Sequence, residues 1–164
     1  MSEQKDRKNE VFAVPLGDGS YGYGQVLATQ WPVFYMTGFD ARTTGVDSGI
    51  VDRLASFTMV FFGNLFDVLI ANGTWPSIGS ADPPPGAVFP CYKVVMSGQT
   101  YLQSWDKTRC RLADEDEIAI VENRTNRSPA SLTVALQAHF GLTAWDDRFN
   151  GMKREFVERS AALL

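Results

Sequence analysis

The chain has 164 residues, of which 45% are hydrophobic and 21% charged, the balance of one ordinary globular domain with a sizeable core. Its formal net charge of −4 argues against a general nucleic-acid binder, whose footprint is a basic face. No apolar run reaches the roughly 18 residues of a membrane span. The polar N-terminus also lacks the apolar stretch of a secretory signal, so the expected compartment is the cytoplasm, with no membrane partner.

Residues 1–9 are polar and charged and read as a frayed N-terminus preceding a single domain over 10–164. Residues 10–27, EVFAVPLGDGSYGYGQVL, then read as a β-hairpin. An apolar run from Val11 to Leu16 is cut by Gly17, Asp18 and Gly19, which tolerate the positive φ of a tight turn, and a second run returns through Tyr21, Tyr23, Gln25 and Leu27. The segment from Gly17 to Gly22 also fits the G-x-G-x-x-G pattern. A dinucleotide site needs that loop to open a helix, whereas the residues after it read as strand.

The run from Trp31 to Met36 is a second apolar segment, with Pro32 marking an edge or a break. Asp40 to Asp52 reads as a loop. Phe57–Phe62 and Leu65–Ile70 are strand candidates separated by a turn at Gly63 and Asn64. A single helix from Asp52 to Ile70 is the alternative, disfavoured by its aromatic and β-branched content. Gly73 to Gly79 is a turn segment, and the prolines at 83–85 stiffen a surface connector. Val88–Met96 and Thr100–Trp105 form a hairpin turning at Ser97 and Gly98, and Glu117–Val121 is a last short strand. The β-rich part thus covers 10–122.

The period then changes over a helical part, 128–160. Ser128 and Pro129 read as cap and first position of a helix, and Leu132, Ala135, Leu136, His139 and Phe140 share one face before Gly141 ends it. Thr143 to Asp146 resembles a capping box opening a second helix with Trp145, Phe149, Met152 and Phe156 as its apolar stripe, weakened at Gly151.

Chemistry-bearing residues are sparse. His139 is the only histidine and lies on the apolar helix face, where a hydrogen-bonded, largely buried role outweighs that of a general base. Cys91, Cys110 and His139 share no metal-ligand spacing, and the cysteines read as free, mostly buried thiols. No metal or other cofactor is expected. The densest charge run is Asp114, Glu115, Asp116 and Glu117, either a solvated turn or an anionic patch that docks a basic partner. Tyr21 and Tyr23 share a strand face, as sheet packing or as binding aromatics.

VFAVPL at 11–16, the GDG turn and YGYGQVL at 21–27, followed by GTWPSIG at 73–79 and then RCR at 109–111 with EIAIVE at 117–122, resemble in order the motifs of the immunity protein 26 family. The likeness covers residues 10–122 and leaves out the C-terminal helices. It implies a bacterial antitoxin that binds a cognate toxin domain and occludes it stoichiometrically, without catalysis. The acidic balance suits a basic nuclease toxin. The resemblance carries over no contact positions; Asp114, Glu115, Asp116, Glu117, Tyr21 and Tyr23 are the candidates that the residues themselves offer. The expected fold is α+β, a bent antiparallel sheet or small barrel followed by two helices. The rivals are a small-ligand-binding barrel and a small hydrolase using His139 with Asp146 or Asp147.

Overall fold

A computed structural model of the chain describes residues 5–164. In chain order the strands are β1 (Glu10–Pro15), β2 (Ser20–Gln30), β3 (Val33–Phe39), β4 (Thr43–Thr44), β5 (Met59–Leu65), β6 (Ser77–Ser80), β7 (Cys91–Met96), β8 (Gln99–Ser104), β9 (Cys110–Leu112) and β10 (Asn126–Arg127). The α-helices are α1 (Val68–Ala71), α2 (Glu115–Ile120), α3 (Ala130–His139) and α4 (Arg154–Ala161), and two 3-10 helices cover Ser48–Ser56 and Asp147–Met152. The fold is α+β. It divides into two compact units, one of residues 5–87 with Asn126–Asp147, the other of Val88–Thr125 with Arg148–Leu164. That division cuts across the β-rich and helical parts of the sequence.

The first unit is built on a seven-stranded sheet in the order β10-β5-β3-β2-β1-β6, with β4 added beside the start of β2. All pairings are antiparallel except β10 with β5. The glycine turn joins β1 to β2 as the sequence predicts. Gly17 and Gly19 hold φ of 91° and 86°, and the Leu16 N–H donates to the Ser20 carbonyl at 3.0 Å. Pro32 ends the β2 run, and β3, paired on both edges, is buried along its whole length. Such burial explains its unbroken apolar reading.

One face of this sheet is unusually low. Gly22 and Gly24 alternate onto it from β2, and Gly38 of β3 stands directly opposite Gly24. A Cβ at Gly38 would lie 2.9 Å from Leu132 Cδ1, and one at Gly22 would lie 3.0 Å from Leu136 Cδ1. These missing side chains let α3 settle against the strands through Leu132, Ala135 and Leu136, all buried. A Cβ at Gly24 would meet the Phe12 ring at 2.5 Å and the Thr37 carbonyl oxygen at 2.7 Å. Phe12 in turn stacks on buried Trp75, with ring centroids 5.0 Å apart. The GTWPSIG segment therefore serves the core through Trp75 and supplies the edge strand β6.

The second unit holds the antiparallel sheet β7-β8-β9. Cys91, Leu102 and Val121 form its core, packed against Ala113, Leu163 and Leu164. Helix α4 is fastened to β7 where the Cys91 thiol donates to the Ser160 carbonyl at 3.0 Å. Burial pushes the Cys91 thiol pKa up, as suits a packing role.

Several expectations are corrected. No barrel forms: the large sheet is open, with β6 and β10 at its ends. Gly63 and Asn64 are not a turn but continue β5 opposite Met36 and Tyr35, because pairing with buried β3 outweighs the local turn preference. Of the expected second strand over Leu65–Ile70, Leu65 ends β5 and Val68–Ala71 form α1 instead, and the 40–52 loop contains β4 and the start of a 3-10 helix. Glu117–Val121 is not a strand, since Asp114 and Glu117 form a reciprocal capping box that starts α2. The second C-terminal helix starts at Arg154 and not at Thr143, whose hydroxyl donates to the Ala144 carbonyl. Gly151 lies in the preceding 3-10 turn, where a Cβ would strike a Glu122 carboxylate oxygen at 2.1 Å. Of the frayed N-terminus, residues 1–4 lie outside the described residues. Arg7 is buried and paired with Asp67 and Glu10.

The glycine-lined face yields a graded expectation. Gly24→Ala confronts a backbone oxygen and should cost at least the roughly 1–3 kcal/mol of overpacking. Gly22→Ala meets no backbone atom, only side-chain atoms of Leu136 and Leu16, and should cost less. Urea denaturation of the two variants, compared with the parent chain, checks the order.

Candidate functional site

The acidic run lies in the second unit as the head of α2. Glu117 is spent on structure: its carboxylate takes two hydrogen bonds from the Arg111 guanidinium, at 2.6 and 3.0 Å, and one from the Asp114 N–H at 2.8 Å. These bonds, led by that from Arg111, hold its pKa below the usual glutamate value. Arg111 also donates to the Leu163 carbonyl at 2.6 Å, so one guanidinium joins β9, α2 and the segment after α4. Asp114 is occupied by the cap. Glu115 and Asp116 are exposed and make no hydrogen bond or ion pair among the described residues. Exposed Leu112 and Ile120 flank the run in the chain.

The tyrosines lie in the other unit and divide in role. Tyr23 is fully buried; its hydroxyl bonds to the Thr43 hydroxyl and accepts from the Asp47 N–H at 2.9 Å. Its place is therefore in the core, where it ties the cap of the Ser48–Ser56 helix to β2. Tyr21, paired with Pro15 and Thr43, is half-buried and keeps part of its ring at the surface.

His139 is hydrogen-bonded but not buried as expected: its side chain is 29% exposed. Its Nε2 lies 2.9 Å from Asp40 Oδ1, and not in a pair with Asp146 or Asp147. Phe61 and Phe140 meet its ring edge-on, and Trp145 stacks on Phe61 at 5.7 Å. Being the last residue of α3, His139 lies at the rim of the helix–sheet contact, which its periodicity alone does not reveal. Asp40 is 99 residues away in the chain, and no local pattern links the two.

Cys91 and Cys110 are both free. Cys91 is buried while Cys110, expected to be mostly buried, is exposed on the edge strand β9. Cross-strand register puts them on opposite faces of their sheet: Cys91 opposes Ser104, and Cys110 opposes Gln103. Among the described residues no group of three or more His, Cys, Asp or Glu could hold a metal ion. No helix among them is long and apolar enough to cross a membrane.

A concave feature of about 250 Å³ lies at the tip of the first hairpin, lined by Asp18, Gly19, Ser20, Arg42, Thr43 and Thr44. The pairing of Ser20 and Tyr21 with Thr44 and Thr43 brings β4 beside the glycine turn. The Arg42 Nη2 donates to Asp18 Oδ2 at 2.6 Å and its Nε to the Ser20 hydroxyl at 3.0 Å. Hydrogen bonds from Ser20, with a further contribution from Arg42, hold the Asp18 pKa below the usual range. Sequence reasoning passed over Arg42, which has no distinguishing neighbours in the chain.

No family model matches the chain, and no curated protein or solved structure matches it.

The carboxylates give a pH prediction. Hydrogen bonds from the Ser104 hydroxyl and from the hydroxyl and N–H of Thr108 bring the Asp106 pKa from 3.8 down to about 2. A folded-state pKa below the unfolded one contributes stability above the unfolded value, and the contribution is lost as the pH falls through the folded value. Thermal melts from pH 4 to pH 2 should therefore fall less steeply for Asp106→Asn than for the parent chain. Parallel slopes would remove Asp106 from the acid response.

Proposed function

We propose that this protein is a cytoplasmic bacterial immunity protein that binds a cognate toxin domain and occludes it stoichiometrically, without catalysis or cofactor. The ordered motifs over residues 10–122 support the reading, and the surface supplies a means. One observation carries it: Glu115 and Asp116 are exposed and uncommitted beside a neighbour, Glu117, that is locked to Arg111. Anchored backbone with free charge at its tip suits electrostatic steering of a basic partner, since complementary charge raises the encounter rate more than the affinity. Leu112 and Ile120 add apolar area on either side of the charges in the chain. Such a mixture of apolar contact and polar rim is common to protein–protein interfaces. A basic nuclease is the partner chemistry that this surface suits best, and Tyr21 is a second, independent candidate contact.

The primary test is rescue. The neighbouring reading frame, and its C-terminal region in particular, is expressed in a sensitive bacterium with and without this protein. Relief of toxicity, with the two chains co-eluting, is the expected result. Persistent toxicity in the presence of the folded protein would overturn the proposal. With the partner in hand, Glu115→Lys combined with Asp116→Lys should slow association on the order of tenfold at low salt and flatten its salt dependence. Stopped-flow association rates at several ionic strengths check this, and unchanged rates would move the contact away from α2.

A further inference from the structure

We propose that the cleft between the β1–β2 turn and β4 binds a small neutral polyol of monosaccharide size. Its volume of about 250 Å³ lies just below the roughly 300–1,000 Å³ of sites for drug-sized ligands, so one sugar ring is the scale it suits. The guanidinium inside it is held in place. Its side-on fork, Nε and Nη2, is taken by the Ser20 hydroxyl and Asp18, and the Phe140 ring lies 5.7 Å beneath it. Ser20 is only 8% exposed, so the Nε end of this anchoring is buried, while the Asp18 end lies at the surface.

What the anchoring leaves over decides the ligand class. Arg42 Nη1 makes no hydrogen bond among the described residues, and neither does the Thr44 hydroxyl. Asp18 Oδ2 accepts from Arg42 and retains acceptor capacity. The free groups are thus guanidinium donors, a carboxylate acceptor and a hydroxyl that does both. Arg42 and Asp18 balance each other's charge, so an anion entering the cleft meets Asp18 and a cation meets Arg42. Neighbouring ligand hydroxyls, which donate and accept at once, satisfy this mixed set without net charge. Gly19 leaves the approach clear, since a Cβ there would meet nothing within 4 Å. This inference is independent of the toxin-binding proposal and uses none of its residues.

The test is a titration of the full chain, labelled with nitrogen-15, against the polyol probes glycerol, D-glucose, D-galactose and D-mannose and, for comparison, acetate and inorganic phosphate, followed by amide NMR shifts. Saturable shifts at Gly19, Ser20 and Thr44 with at least one probe, with affinity in the millimolar range, are expected. Arg42→Lys keeps the charge but lacks the planar fork and should abolish the saturation. Thr44→Val, at an exposed position, should weaken it several-fold and leave the rest of the spectrum in place. Three results each overturn the proposal. One is no saturable shift at these amides with any probe, and another is equal binding by both variants. The third is tighter binding of acetate or inorganic phosphate than of the polyols.

Discussion

The approach of α3 to the sheet through two side-chain-free positions, Gly22 and Gly38, is the contact on which the larger unit depends. Gly22, Gly24 and Gly38 leave a shallow trough into which Leu132, Leu136 and Phe12 descend. Removing three side chains from a sheet weakens its local preference for strand. That cost is offset because large apolar groups on the helix and on β1 take up the space, and close packing gathers dispersion and hydrophobic energy there. Phe12 passes the contact on to Trp75, so the edge strand β6 is fastened by the same arrangement as the helix. Of the three glycines that look in sequence like a phosphate loop, Gly22 is thus a packing glycine in β2, while Gly17 and Gly19 hold the positive φ of the turn.

Polar groups complete both units by closing local gaps. In the first, the Tyr23 hydroxyl lies under the sheet surface and is satisfied by Thr43 and the Asp47 backbone, which seats the Ser48–Ser56 helix. In the second, Arg111 gathers Glu117 and the Leu163 carbonyl. The buried Tyr23 hydroxyl without partners would carry a desolvation penalty, so its bonds matter chiefly by preventing one, whereas the Arg111 bonds lie at the surface. They also sort the surface. Groups spent on such anchoring are not free for a partner, which separates Glu117 from Glu115 and Tyr23 from Tyr21.

The candidate site was only partly legible in the sequence. The acidic run was visible as composition, but which carboxylates are free followed from Arg111, a partner on another element. His139 was conspicuous as the lone histidine, and its helical face was read correctly. Its pairing with Asp40 and its position at the rim depended on where α3 lies on the sheet. Arg42 and Asp18 are ordinary surface residues in sequence. They form a cleft only because β4 pairs with the start of β2.

Local chemistry determined the features whose causes are local. These include the glycine turn of the first hairpin, the break at Pro32, the hairpin at Ser97 and Gly98, and the buried apolar face of α3, after which Gly141 follows. Turn geometry and helical periodicity are encoded within a few residues, so they can be read without knowing the rest of the chain. Tertiary structure alone decided the elements whose local preference was overridden. Gly63 and Asn64 became strand because β3 offered a buried pairing partner. It also decided that the sheet stays open and which polar groups remain at the surface. Those outcomes rest on contacts between segments far apart in the chain, and a pairing energy that belongs to two segments is not written in either one.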